Sequence, residues 1–142
     1  MKKLLAALVL LCILTTLVVA CGGGSGSPGS PPTAGPCPPG RCIATSASVH
    51  LGLTNFVQTS VTFAKGGSLT IVDDSATVHN INNGSWMNGV AHPLQETGAP
   101  TVSNLMFSTA GQSRVIGPFN TAGTFHLYCS IHTGMNLTIT VT

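Results

Sequence analysis

A chain of 142 residues with 43% apolar and only 6% charged side chains has room for one domain with a genuine core, and its body is too apolar to stay disordered. Two of its five basic residues, Lys2 and Lys3, sit in the leader; from Cys37 onward Arg41, Lys65 and Arg114 offset Asp73, Asp74 and Glu96, leaving the body formally neutral. A neutral domain has no basic stripe with which to hold phosphates, which argues against nucleic acid as a partner.

Residues 1–20 join Lys2-Lys3 to an apolar run from Leu4 to Ala20, the layout of an export signal. The run ends in Val18-Val19-Ala20-Cys21, which resembles a bacterial lipobox with Val18 in place of the usual leucine, so Cys21 is expected to be lipidated and to begin the mature chain. The alternative is an uncleaved anchor, for which the run lies at the short edge of the roughly 17 to 25 residues that span a bilayer. Either way the protein is expected to be exported and tethered, at the outer face of the cytoplasmic membrane or in the periplasm. Residues 21–36, rich in Gly, Ser and Pro, cannot bury apolar surface and read as a flexible leash before a domain over 37–142. Cys37 and Cys42 bracket Pro38-Pro39-Gly40-Arg41, and in an exported protein a small disulfide loop is the default reading. A redox-active or metal-binding pair would need partners that this spacing does not supply.

From Ile43 onward, short runs of Val, Ile, Thr, Leu and Phe alternate with Gly, Asn, Asp and Pro, and no apolar period of 3.6 residues is sustained. The pattern predicts strands over Ser46 to Leu51, Ser60 to Phe63, Ser68 to Asp73, Thr77 to Asn82, Val102 to Phe107, Ser113 to Gly117, Thr124 to Cys129 and Asn136 to Thr142. About eight strands with regular turns imply an all-β, two-sheet Greek-key sandwich. The stretch from Asn83 to Pro100 is the least legible, with room for one short turn. Within the last two strands, alternation puts Phe125, Leu127 and Cys129 inward, His126 and Tyr128 outward, and Leu137, Ile139 and Val141 inward.

Between those strands lies Cys129-Ser130-Ile131-His132-Thr133-Gly134-Met135, a thiolate, an imidazole and a thioether within seven residues. Two soft sulfur donors and a borderline nitrogen favour copper in both oxidation states, whereas structural zinc sites take Cys, His and carboxylates rather than methionine. A second histidine is required, and His79 in Thr77-Val78-His79-Asn80-Ile81 occupies a strand-like segment. His126 points away from Cys129 by alternation, and His50 and His92 lack the following asparagine and strand pattern, so these three read as surface histidines. Taken singly, Cys129 could be a buried structural cysteine, His132 an exposed loop residue and Met135 core filling; their joint spacing at a strand end speaks for a site.

Gly123-Thr124-Phe125-His126-Leu127-Tyr128-Cys129-Ser130-Ile131-His132 with Gly134-Met135 resembles the ligand segment of the blue copper proteins, or cupredoxins. Its Cys-x-x-His-x-x-Met spacing is similar to the amicyanin form rather than the longer plastocyanin loop. Upstream, Thr62 to Val72 and Val78-His79-Asn80-Ile81 resemble the family's strand, turn, strand and first-ligand region, and the tether is similar to that of auracyanin, whose ligand loop is longer. The resemblance implies one type 1 copper held by His79, Cys129 and His132 with Met135 as the weak axial ligand, and Asn80 hydrogen-bonded across to the segment around Ser130. It also implies a monomeric electron carrier, not an enzyme, passing electrons through His132, with Tyr128 as a second surface route. The partners implied are redox proteins, a cytochrome or a membrane electron-transport complex, beside the lipid-anchored membrane surface. An oxidase or nitrite reductase would need paired His-x-His ligands that this chain lacks. The alternative is an exported copper-storage or delivery protein, which could use the same donors.

Overall fold

Period-two runs of β-branched and aromatic residues build ten strands in the computed structural model, which describes residues 43–142. The leader, Cys21, the leash and the Cys37 and Cys42 pair lie outside the described residues. In chain order the strands are β1 (Ser46–Leu51), β2 (Ser60–Phe63), β3 (Ser68–Asp73), β4 (His79–Asn83), β5 (Ser85–Met87), β6 (Val90–His92), β7 (Leu105–Phe107), β8 (Ser113–Ile116), β9 (Gly123–Cys129) and β10 (Asn136–Val141). One sheet runs β1-β3-β8 and the other β2-β10-β9-β4-β7. The chain changes sheet after each of β1, β2 and β3 and again on either side of β8, so the all-β sandwich expected from the sequence is present.

The inner faces interdigitate as alternation requires. Val49, Leu51, Leu69 and Ile71 from one sheet meet Phe63, Ile81, Phe107, Leu127, Leu137 and Ile139 from the other, all fully or almost fully buried. The rings of Phe63, Phe119 and Phe125 pack edge-on or tilted at the β2 end of this core. The threonines of β10 alternate with its buried residues, giving that strand the two-faced character read from its sequence.

The stretch from Asn83 to Pro100, the least legible in the sequence, holds a hairpin, β5-β6. Met87 pairs with Val90, leaving Asn88-Gly89 as a two-residue turn with φ of 52° and 77° at its two residues. Two positive φ values in succession are what a turn matching the right-handed twist of a hairpin needs, and Asn-Gly is the pair that adopts them most easily. Gly84 sets the entry: its φ is 118°, and a Cβ there would collide with the His92 carbonyl.

The strand predicted from Val102 forms only from Leu105, because asparagine side chains hold the backbone before it. Asn83 Oδ1 accepts the Val102 N–H at 2.6 Å and Asn82 Oδ1 accepts the Asn104 N–H at 2.8 Å, while Asn104 takes φ of 52°. Truncating the fully buried Ile71 to Ala should cost about 2–5 kcal/mol of unfolding free energy. The same change at Val115, 70% exposed on β8, should cost within about 0.5 kcal/mol; urea denaturation of the two variants checks the contrast.

Candidate metal centre

Cys129, the one cysteine among the described residues, ends β9 with its side chain fully buried. Its cross-strand partner on β4 is Ile81. Side chains two residues apart on a strand share a face, so His79, two positions from Ile81, also points inward and lies diagonally from the sulfur. His79 Nδ1 is 3.9 Å from Cys129 Sγ, and His132 Nδ1 approaches the same sulfur to 3.4 Å from the loop after β9. The two imidazoles stand with ring centres 4.8 Å apart, and the three donor atoms all lie within 4.8 Å of one another.

These spacings have a metallic meaning. Three donors arranged trigonally around an ion, at bond lengths of roughly 2.0 Å to nitrogen and 2.3 Å to sulfur, stand about 3.5–3.7 Å apart. The two nitrogen–sulfur separations lie within a few tenths of an ångström of that range, and all three donor atoms stand within 4.8 Å of one another.

The loop from Ser130 to Met135 is held from inside. The Cys129 N–H donates to the Met135 carbonyl at 3.1 Å, continuing the β9-β10 ladder, and the Met135 N–H donates to the His132 carbonyl at 3.2 Å. Gly134, with φ of 81°, makes the return turn. Met135 is itself buried, 3% exposed, at the end of the loop that carries Cys129 and His132.

His79 is oriented from behind. Its Nε2 lies 3.0 Å from the Gly52 carbonyl, which fixes the Nε2–H tautomer and leaves the Nδ1 lone pair facing Cys129. Burial, and then the charge of nearby His132, push its pKa below the ordinary 6.5, while the Gly52 hydrogen bond and the buried Asp73 carboxylate act in the opposite sense. The side chain is therefore held neutral, as a metal ligand must be.

The expected tie between the two ligand segments exists, but the Asn80 main chain carries it. The Ser130 N–H donates to the Asn80 carbonyl at 2.9 Å and the Ser130 hydroxyl reaches the same oxygen at 3.4 Å. The Asn80 side-chain amide instead donates to Asn104 Oδ1 at 3.3 Å.

Tyr128 corrects an expectation. Alternation turns it away from the core, yet it is only 5% exposed, because Trp86 of the unforeseen hairpin covers it with the two rings edge to face at 6.0 Å. It therefore offers no open surface beside Cys129. The remaining histidines stand apart: His50 pairs with Asp74 at 2.9 Å, His126 with Glu96 at 2.7 Å, and His92 is exposed on β6. Trp86 and Asn136 are contributors that sequence reasoning missed, since the Trp86 indole N–H donates to the Cys129 carbonyl at 2.8 Å. The Asn88-Gly89 pair was the available signal for the hairpin that carries it.

No protein-family model matches the sequence, and no curated protein matches it. Among solved structures, amicyanin from Paracoccus versutus (Thiobacillus versutus) is similar at 19% identity, covering 70% of this chain and 90% of that one with a TM-score of 0.52. A reduced Cu(I) form, at pH 4, of a proline-to-glycine variant of amicyanin is similar at 16% identity, covering 72% and 87% with a TM-score of 0.51. An oxidised methionine-to-leucine variant of amicyanin is similar at 17% identity, covering 70% and 90%, again with a TM-score of 0.51. At these identities the likeness is one of fold.

The depressed pKa of His79 makes a prediction for the metal-free domain. As pH falls below 6.5 the unfolded chain takes the His79 proton before the folded one does, so this residue's contribution is complete above 6.5 and is lost progressively below it. Chemical denaturation between pH 7.5 and 5 should show stability declining with acid, and His79→Gln should flatten that decline.

Proposed function

We propose that this chain, a cupredoxin by fold, is an exported electron carrier holding one type 1 copper through His79, Cys129 and His132, with Met135 as the weak axial donor. The observation that carries the reading is the donor triangle of two imidazole nitrogens at 3.9 Å and 3.4 Å from one buried thiol, a set whose softness selects copper. The amicyanin structures of similar fold include a Cu(I) form, which supports the choice of metal. When bound, the copper would supply a one-electron couple.

The protein's own part is to keep that couple inexpensive to operate. Cys129 and His79 are fully buried, which excludes water from the sulfur and the first nitrogen. The Gly52 carbonyl fixes one imidazole, and main-chain bonds fix the loop that bears the other. Ligands locked by packing and hydrogen bonds move little between the two charge states, so little energy is spent on rearrangement.

Docking is assigned to the apolar residues that flank the site. Leu53 follows Gly52, Val78 precedes His79 and Ile131 precedes His132, and all three are exposed. A partner such as a cytochrome or a membrane electron-transport complex would meet this patch and exchange electrons at His132, the partly exposed imidazole. The apparent leader, Cys21 and leash support tethering to the outer face of a membrane, where the chain would act as a monomer among redox proteins.

Copper-loaded domain should show an intense thiolate-to-copper band in the visible and a narrow copper hyperfine splitting, both abolished by Cys129→Ala. A colourless loaded protein, or rapid exchange of the metal, would favour storage or delivery instead. Stopped-flow electron exchange with an isolated cytochrome partner should change only weakly with ionic strength, because an apolar contact has little charge to screen; a steep loss of rate with added salt would contradict the docking assignment.

A further inference from the structure

Resting on the reading of the site as a copper centre, we propose that Trp86 is a positioning residue that grips both ends of the ligand loop from outside the sandwich and holds it ready for metal. Trp86 is the chain's single tryptophan. It lies on β5, in a hairpin that joins neither main sheet. Its indole N–H donates to the Cys129 carbonyl at 2.8 Å, where the loop begins. Its backbone N–H donates to Asn136 Oδ1 at 2.7 Å and its carbonyl accepts from Asn136 Nδ2 at 3.0 Å, where the loop ends.

One residue thus spans the mouth of the loop. Tyr128 and Asn136 are ladder partners and the Cys129 N–H still reaches the Met135 carbonyl, so the loop opens just beyond this point, and the three Trp86 bonds hold Cys129 at one end and Asn136 at the other. A tryptophan kept only for packing needs one partner for its indole N–H. The indole has that partner in the Cys129 carbonyl, and the Trp86 main chain adds two bonds to the side chain of Asn136, the residue following Met135, so side chain and backbone of one residue hold opposite ends of the loop. The hairpin is anchored for this purpose at Gly84, whose N–H donates to the His126 carbonyl of β9 and whose positive φ brings the hairpin onto that strand.

Trp86 acts on the ligands through the Cys129 main chain and through Asn136. Its loss should loosen the loop while leaving the core intact. Trp86→Phe keeps an aromatic ring against Tyr128 and removes only the N–H donor; Asn136→Ala removes the other two bonds. In the metal-free domain, backbone hydrogen exchange at Cys129 and Met135 should speed up about tenfold in Trp86→Phe, the size expected for one lost hydrogen bond in a buried setting, and at least as much in Asn136→Ala, which loses two, with exchange at Ile71 of β3 unchanged. In the copper-loaded domain, a competing Cu(I) chelator should strip the metal about tenfold faster than from the parent protein.

The exchange experiment contains no metal, so failure of the parent protein to take up copper would sink the electron-carrier reading and leave this one standing. Wild-type exchange rates at Cys129 and Met135 in both variants would overturn the assignment. So would an acceleration shared equally with Ile71, which would mean that the hairpin supports the fold at large, and so would chelator stripping at the parent rate.

Discussion

The pairing of β4 with β9 is the constraint on which the site depends. Ile81 stands opposite Cys129, and that single register step puts His79 on the same inner face, within 3.9 Å of the sulfur. A slip of one residue would turn His79 to the outer face and leave the cysteine with the His132 imidazole alone. The register is secured by the burial of Ile81 and Leu127 on the inner face and, past the strand ends, by the Ser130 N–H on the Asn80 carbonyl. Core packing and site geometry are therefore one interaction: the apolar residues that fix the strands also fix the donors.

The second half of the arrangement is a short loop with little freedom of its own. From Cys129 to Met135 the chain is closed by two main-chain bonds inside it, by Asn80 on one side and by the Trp86 hairpin on the other. Burial removes water from the sulfur and holds His79 neutral, which is the protonation state that a metal ligand needs. The cost of leaving a thiol and an imidazole buried is met by giving His79 a carbonyl partner in Gly52 and by bringing the second imidazole within 3.4 Å of the sulfur.

Much of this was legible in the residues. Strands β1, β2 and β3 fall where their alternation puts them, and the inward set on β9 and β10 follows the period of two. Cys129, His132 and His79 converge because side-chain chemistry and strand pattern agree at those positions. What stayed hidden was carried by main chain or by distant segments. The Gly52 carbonyl that orients His79 comes from a turn 27 residues upstream, and no side-chain identity encodes it. The Asn80 link runs through its carbonyl rather than its amide for the same reason. Tyr128 sits on the outer face as alternation requires, yet it is covered by a hairpin whose three-residue strands are too short to show periodicity, although the Asn88-Gly89 turn between them was a readable mark.

On this geometry the protein forms the metal site before the metal arrives. A pair of crystal structures of the domain, metal-free and copper-loaded, tests it most directly. The two should share the same side-chain rotamers for His79, Cys129 and His132, with Nδ1 to Sγ separations changing by a few tenths of an ångström and the copper inside the triangle they make. A metal-free form in which His132 swings away or the loop refolds, or a loaded form with copper bound at His50, His92 or His126 instead, would contradict it.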